Sequence, residues 1–403
     1  MSPNKCFNRI YQKTMHVFMD KFFDMVQEVI SGEGCSRELA SVFKENNIDK
    51  ILMITGPHIV KTDMFNDIKK SLEDEKLVCT IFSDIGAETD ISGIEKARWL
   101  YDNNSCEAIL AIGGGSAIDC AKGTAAGAAR PEKRVDELFG YQKVHADIPL
   151  LIAVPTTAGT GSEATACAVI KDARSGAKNI IADTNVYPRY AVLDPLLTVS
   201  MSPRLTAYTG MDAFTHAIEA YIGKYSGEEA KGYAFEALQL IFSNIGTAYN
   251  DGSNISARQN MLKASFLAGK AFTRTSVGYV HAIAHAVGGQ YNIAHGMAVA
   301  TILPYVLEWY GESAEKSLSE LDRIIEPAAA EQNISDRALN FINYIKYLNK
   351  ELAIPEKFDI VEEKDVKEMV KRIMREANPY YPVPRIMSDG ECTKLIYKIS
   401  DIV

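Results

Sequence analysis

The first two hundred residues alternate between two patterns. Short continuous apolar runs, several rich in β-branched residues, occur at KILMIT (50–55), KLVCTIF (76–82), EAILAI (107–112) and LLIAV (150–154). Between them lie helix-like segments such as SRELASVFKENN (36–47) and ISGIEKARWLYDNN (91–104). Apolar runs without polar alternation suit strands covered on both faces. Strands separated by helices predict a parallel sheet with helices on both sides. Near Ser200 the pattern changes. Strand-like runs almost vanish, and long Ala-, Leu-, Glu- and Lys-rich segments take over, among them EEAKGYAFEALQLIFSNIGTAY, ARQNMLKASFLAGKAF and SDRALNFINYIKYLNKEL. Ser202-Pro203 has the chemistry of a helix start, with Ser as N-cap and Pro at the first helical position. The pattern predicts an α/β domain over residues 1–200 and an all-helical domain over 201–403. No low-complexity linker and no internal repeat interrupts them.

Two glycine-rich stretches follow predicted strands. In EAILAIGGGSAIDCAKG (107–123) a strand runs into Gly113-Gly114-Gly115 and then a helix starting near Ser116. Glycines let a ligand approach the backbone, and the helix start offers unpaired N–H groups and the positive end of its dipole to an anion. The spacing is not G-x-G-x-x-G, and a plain tight turn has the same composition. The second stretch, PTTAGTGSEAT (155–165), also begins at a strand end, where open α/β sheets bind ligands. Two such loops predict a nucleotide-sized ligand held by its pyrophosphate, in a Rossmann-like, dinucleotide-binding domain. No G-x-x-x-x-G-K-[ST] sequence occurs, which argues against a P-loop NTPase.

The second half concentrates histidine. The chain has seven, and YVHAIAHAVGGQYNIAHG (279–296) holds His281, His285 and His295. Upstream, GMDAFTHAIEAY (210–221) places Asp212 and His216 four apart, on one face of a helix. In an unbroken helix His281 and His295 would lie roughly 21 Å apart along the axis, too far to share an ion. Gly288-Gly289 is therefore expected to break the helix and fold His295 back. One carboxylate and these imidazoles form an N/O donor set suited to Zn²⁺ or Fe²⁺. No cysteine belongs to the group, which argues against a structural zinc. One imidazole is left over for a proton, and spacing alone does not say which. A metal of this kind would polarise a substrate oxygen while a nicotinamide took or gave hydride at the adjacent carbon.

Composition narrows the partners. Net charge is −9, from 43 basic and 52 acidic residues, with no basic stripe, so nucleic acid is not an expected partner. No apolar run approaches the ~18 residues that span a bilayer, and no membrane is expected. The seven cysteines (6, 35, 79, 106, 120, 167, 392) form no C-x-x-C pair and fit reduced thiols in the cytoplasm. The N-terminal MSPNKCFNRIYQKTMHVFMD lacks the apolar core of a signal peptide, so no secretion by that route is expected. It reads as a loose extension, a partner-binding arm or the first segment of the fold.

GGGSAID, PTTAGTGSE, GMDAFTHAIE, VHAIAHAVGGQYNIAHG and ANPYYPVPR (377–385), in this order, resemble the iron-containing (group III) alcohol dehydrogenase family over nearly the whole chain. The resemblance implies that family's dehydroquinate synthase-like architecture and at least a homodimer. It implies NAD or NADP and Fe²⁺ (or Zn²⁺) as cofactors, and a small alcohol or aldehyde as substrate. By residue, it implies that Asp212, His216, His281 and His295 bind the metal and that His285 is the spare histidine near the substrate. Gly113, Gly114, Gly115, Ser116 and Asp119 would line the pyrophosphate site, with Thr156, Thr157 and Ser162 in the second loop. Lys178 would lie near the cofactor ribose, and Phe272 would line the substrate pocket.

The sequence departs from NAD-preferring relatives at one point. They carry an Asp just after the first sheet strand, and Gly56 stands there in ILMITGPHIV. A glycine leaves room for a 2′-phosphate and does not repel it, so NADP(H) is expected to serve at least as well as NAD(H). GAETD (86–90) also replaces the usual Asn-Pro-containing turn. The same architecture resembles glycerol dehydrogenases and the lyase dehydroquinate synthase. An anionic substrate needs basic residues, and none occurs between 275 and 296, which favours a small neutral alcohol or aldehyde.

Overall fold

The computed structural model describes residues 3–22, 26–86, 88–172, 178–326, 333–400 and 402. Ala87, within GAETD, lies outside the described residues. The chain forms two compact units, one of Phe22–Met201 with Ser253–Gly269, the other of Met1–Lys21, Ser202–Gly252 and Lys270–Val403.

Among the described residues the first unit is built on nine strands: β1 (Glu28–Ser31), β2 (Lys50–Thr55), β3 (Val78–Phe82), β4 (Ala108–Gly113), β5 (Gly140–Tyr141), β6 (Leu150–Pro155), β7 (Cys167–Lys171), β8 (Lys178–Ala182) and β9 (Tyr190–Leu193). Six are parallel in the order β1-β9-β6-β4-β2-β3, and β5-β8-β7 form a small second sheet. The apolar runs are covered on both faces, as continuous hydrophobicity requires. Ile51 and Met53 pack with the Leu39–Glu45 and Asp63–Asp74 helices, while Leu52 and Ile54 pack with the Ile91–Asn103 and Gly115–Ala129 helices. Ala108, Leu110 and Ile112 face the first group, and Ile109 and Ala111 the second. Strand order reverses at β2, with β3 on one side and β4 on the other, so the carboxyl ends of β2 and β4 flank a switch point.

The second unit is helical. Its long helices are Pro203–Ile222, Glu228–Asn250, Tyr279–Tyr291, His295–Tyr310, Ile334–Glu351 and Glu363–Ala377. Ser202 caps the first by accepting from the Leu205 N–H at 3.2 Å, with Pro203 at the first helical position. No helix among the described residues is long and apolar enough to cross a membrane.

Two segments fall outside a single cut at residue 200. The N-terminal stretch is a helix, Pro3–Phe22, grouped with the helical unit. Arg9 Nη1 and Nη2 donate to the Val383 and Pro384 carbonyls (2.7 and 2.8 Å), and Gln12 Nε2 donates to the Tyr381 carbonyl (2.7 Å). Residues 253–269 belong to the α/β unit, where buried Arg258 donates to the Met201 carbonyl and Gln259 to Ser31 Oγ. Hydrogen bonds between residues this far apart leave no periodicity to read.

Candidate active site

Asp212 and His216 lie one turn apart on the Pro203–Ile222 helix, and His281 sits on the Tyr279–Tyr291 helix. Their candidate donor atoms all fall within 4.8 Å of one another, and all three residues are buried. Three imidazole nitrogens converge on one carboxylate oxygen. Asp212 Oδ1 is 3.9 Å from His216 Nε2, 3.7 Å from His281 Nε2 and 3.4 Å from His295 Nε2. Asp212 Oδ1 and His281 Nε2 are buried and make no hydrogen bond among the described residues. Buried polar atoms without partners are costly. A cation taking both removes that cost, so the residues present fit a divalent metal.

The charge balance agrees. Burial alone would raise the Asp212 carboxyl, but the facing His216, His295 and His281 imidazoles hold it well below the usual carboxylate range. Burial alone would lower His281, and the facing Asp212 carboxylate and the Glu219 carboxylate at Nδ1 instead raise it to about 9. This pocket therefore favours positive charge beside Asp212.

The turn that returns His295 is not the expected one. Gly288 and Gly289 lie inside the Tyr279–Tyr291 helix. A glycine costs a helix about 1 kcal/mol but does not stop it. The stop is Asn292, in the left-handed region at φ 54°, ψ 39°, a conformation that asparagine tolerates better than most residues. His295 then opens the His295–Tyr310 helix, with its ring centroid 5.5 Å from that of His281. Gly296 brings this helix against the first, since a Cβ there would lie 2.1 Å from the Tyr208 carbonyl oxygen. Phe272 stacks on His216 at 4.3 Å between ring centroids, forming one wall of the cluster.

Three functional groups escaped the sequence reading. Glu219 is buried and accepts from Gly278 N–H and Val280 N–H (both 2.8 Å) and lies 2.6 Å from His281 Nδ1. It therefore orients the His281 ring, with Nε2 toward Asp212. A carboxylate one turn beyond His216 on an apolar helix was its only signal. Glu376 Oε1 lies 2.7 Å from His285 Nδ1 and accepts the Tyr381 hydroxyl at 2.8 Å. Tyr381 lies within ANPYYPVPR, but nothing in the local sequence marks Glu376.

Of the expected cofactor residues, Gly56, Gly113, Gly114, Gly115, Ser116, Thr156 and Thr157 follow the carboxyl ends of neighbouring strands β2, β4 and β6, with Asp119 and Ser162 bonded beside them, whereas Lys178 opens β8 of the second sheet. Gly113 ends β4 in register with Pro155 of β6, and Thr156 N–H donates to the Gly113 carbonyl at 3.0 Å. The Gly115–Ala129 helix starts after Gly114 with no side-chain cap, leaving its first turn open to an anion. Side chains at the glycines would collide. A Cβ on Gly115 would meet Thr160 Cγ2 at 2.9 Å, and one on Gly114 would press on Thr157 Oγ1 at 3.3 Å. Ser116 lies in the first turn of this helix, and its carbonyl accepts from Thr89 Oγ1. Asp119 accepts from Ser162 Oγ (2.6 Å) and Val169 N–H (3.0 Å), tying the two loops together. Gly56 follows β2, and a Cβ there would meet nothing within 4 Å. Lys178 opens β8 with Nζ 2.9 Å from Glu88 Oε1, and Lys171 takes the other oxygen of Glu88 at 2.6 Å. Partial burial pushes the Glu88 carboxyl up, but the two ammonium groups hold it at about 2.

Beneath these loops Lys122 is fully buried, and its Nζ donates to the Ser162 and Cys167 carbonyls, Ser162 Oγ and Thr165 Oγ1. Nearby Glu163 is 1% exposed, its Oε1 has no hydrogen-bond partner among the described residues, and burial pushes its carboxyl up to about 7. A raised acid binds its proton more tightly when folded. Its neutral form costs nothing below about pH 4.5, and stability falls as pH rises from there to about 7. Glu163→Gln is therefore expected to be more stable than the parent at pH 8, by no more than roughly 3 kcal/mol, with the gain vanishing near pH 4.5. Denaturant midpoints at both pH values check this, and a gain equal at both would contradict it.

Residues 27–195 match the description iron-containing alcohol dehydrogenase, and residues 206–399 match the C-terminal region of the Fe-containing alcohol dehydrogenase family. The chain is 33% identical to alcohol dehydrogenase 4 of Schizosaccharomyces pombe, covering 87% of this chain and 83% of that protein. It is 32% identical to 1,3-propanediol dehydrogenase of Klebsiella pneumoniae, across 82% and 86% of the two. The solved alcohol dehydrogenase from Oenococcus oeni shares the fold at a TM-score of 0.89 and 28% identity, covering 93% of this chain and 98% of that one. These relatives favour alcohol oxidoreduction over the glycerol dehydrogenase-like and dehydroquinate synthase-like alternatives. Matched in both halves and carrying the clustered carboxylate and imidazoles, the chain belongs to the iron-containing alcohol dehydrogenase family.

Proposed function

We propose that this protein interconverts a small primary alcohol and its aldehyde, with Asp212, His216, His281 and His295 holding Fe²⁺ (Zn²⁺ fits the same donors) and the α/β unit holding NAD(P)(H). The observation that carries the reading is the convergence of three imidazole nitrogens on Asp212 Oδ1, within 3.4–3.9 Å. When bound, the metal polarises the substrate oxygen and the nicotinamide takes or gives hydride. The chain's own residues supply the rest. Gly113, Gly114, Gly115 and Ser116, at a helix start, receive the pyrophosphate, and Thr156, Thr157 and Ser162 complete the cradle that Asp119 braces. Lys178 lies toward the ribose, steadied by Glu88. Phe272 limits the substrate beside His216, and His285 handles the alcohol proton. The seven unbridged cysteines support a cytoplasmic location. Exposed Val29 on edge strand β1, with exposed Val26 just before it, supports a homodimer or larger homo-oligomer.

A panel of small aldehydes with metal-defined protein tests the reading by the loss of NAD(P)H absorbance. No oxidation of either cofactor by any aldehyde, with Fe²⁺ or Zn²⁺ supplied, would sink it. The open space at Gly56 sets the expected cofactor order, with kcat/KM for NADPH at least equal to that for NADH. Gly56→Asp is expected to lower kcat/KM for NADPH by at least about tenfold relative to NADH, through like-charge repulsion of the 2′-phosphate. A strong NADH preference in the parent would remove the Gly56 argument and leave the reaction untouched.

A further inference from the structure

His285 differs from the other clustered imidazoles. Its ring stacks on that of His295 at 5.2 Å, and its Nδ1 lies 2.7 Å from Glu376 Oε1. Glu376 comes from the end of the Glu363–Ala377 helix, far away in sequence. The same Oε1 accepts the Tyr381 hydroxyl at 2.8 Å. Partial burial pushes the Glu376 carboxyl up, but the neighbouring His285 and the bonds from His285 and Tyr381 bring it below the usual carboxylate range. It is thus an anion that accepts from both.

The segment carrying Tyr381 is pinned from outside the cluster. Gln12, 1% exposed, donates to the Tyr381 carbonyl. Arg9 holds the next free carbonyls, of Val383 and Pro384, and Lys224 N–H takes that of Pro382 at 2.6 Å. The Tyr11 and Tyr380 rings meet edge-on at 5.6 Å. The N-terminal helix therefore fixes the backbone of the residue whose hydroxyl fixes Glu376.

We propose that Glu376, backed by Tyr381 and through it by the N-terminal helix, is a positioning residue for the proton step: it accepts the His285 Nδ1–H, so that His285 Nε2 is the lone-pair nitrogen that meets the substrate hydroxyl. This rests on the reading of His285 as the proton handler. In alcohol oxidation the O–H proton passes to His285 Nε2 as the C–H hydride leaves for NAD(P)⁺. The imidazolium formed is stabilised by Glu376, which itself gains no proton. Aldehyde reduction runs the same transfers backward. A carboxylate on Nδ1 sets tautomer and ring plane at once, which a solvent water cannot do.

The test is a double-mutant cycle on the metal-loaded enzyme. Glu376→Ala is expected to lower kcat by about 10- to 100-fold, part of the 10²–10⁴ that a positioned proton-transfer group supplies. KM and bound metal should stay as in the parent. Glu376→Gln, which keeps an acceptor oxygen, should recover part of the loss, and Tyr381→Phe should lose less in the same direction. In a His285→Ala background neither Glu376 variant should cost anything further. Nitrogen NMR of His285 should report Nδ1–H in the parent and a tautomer mixture in Glu376→Ala. Losses that simply add in the His285→Ala background, or metal loss in Glu376→Ala, would overturn the inference and leave His285 as proton handler. Should Glu376→Ala fail to fold, Tyr381→Phe in both backgrounds decides. An unchanged kcat in His285→Ala alone would bring down both readings.

Discussion

Alanine at His281 is expected to empty the metal site and abolish activity together. The side chain is buried and central, with Nε2 3.7 Å from Asp212 Oδ1 and Nδ1 2.6 Å from Glu219 Oε2. Its loss removes a proposed donor to the ion and the neighbour of two buried carboxylates. Removing one member of a buried charged group costs several kcal/mol, because the remaining charge has no compensation. The ion is then held by fewer donors, while Glu219 keeps only the N–H groups of Gly278 and Val280. Replacing a group that merely orients a ligand costs roughly 10- to 100-fold in metal affinity, so removing the ligand itself should cost more. Elemental analysis of purified His281→Ala is expected to show almost no Fe or Zn, and added Fe²⁺ should restore little activity. Glu219→Gln should fall between, weakening metal binding about 10- to 100-fold while keeping the ligand set. Far-UV circular dichroism separates site loss from unfolding. A His281→Ala protein that folds and retains stoichiometric metal would show that His281 is not a ligand.

How much of this site is legible in the sequence depends on how local each signal is. β2, β4 and β6 coincide almost to the residue with KILMIT, EAILAI and LLIAV, because strands covered on both faces show as unbroken apolar runs. β1, β5, β7, β8 and β9 went unread. They are short or partly exposed, and their pairing partners, not their own residues, make them strands. Asp212 and His216 show through helical periodicity alone. The return of His295 was legible as a necessity, since an unbroken helix cannot bring it to His281, but its hinge was not. Gly-Gly reads as a break, yet both glycines stay helical and Asn292 turns the chain, an asparagine with no flanking signal in the sequence. Glu219, Glu376 and Lys122 act through partners 40 to 91 positions away. Their burial is a product of the fold, so no window of sequence displays it.

Alanine at His285 is expected to do the opposite of alanine at His281: keep the metal and lose the rate. Asp212 Oδ1 lies near the Nε2 atoms of His216, His281 and His295, whereas the Nδ1 of His285 is committed to Glu376. The ring is also more open than that of His281, at 23% against 3% side-chain exposure. That openness suits the proposed exchange of protons with substrate and solvent. Removing it leaves the four proposed ligands and the Glu219 brace intact, so Fe or Zn content and KM should hold near the parent's. The proton step loses its acceptor, and kcat should fall by roughly 10²–10⁴. Added imidazole should restore part of the rate by entering the space the side chain leaves. Metal analysis beside kcat for the two alanine variants decides the assignment. An empty site in His285→Ala with a filled one in His281→Ala would exchange the two roles, and Glu376 would then be the carboxylate orienting a metal ligand.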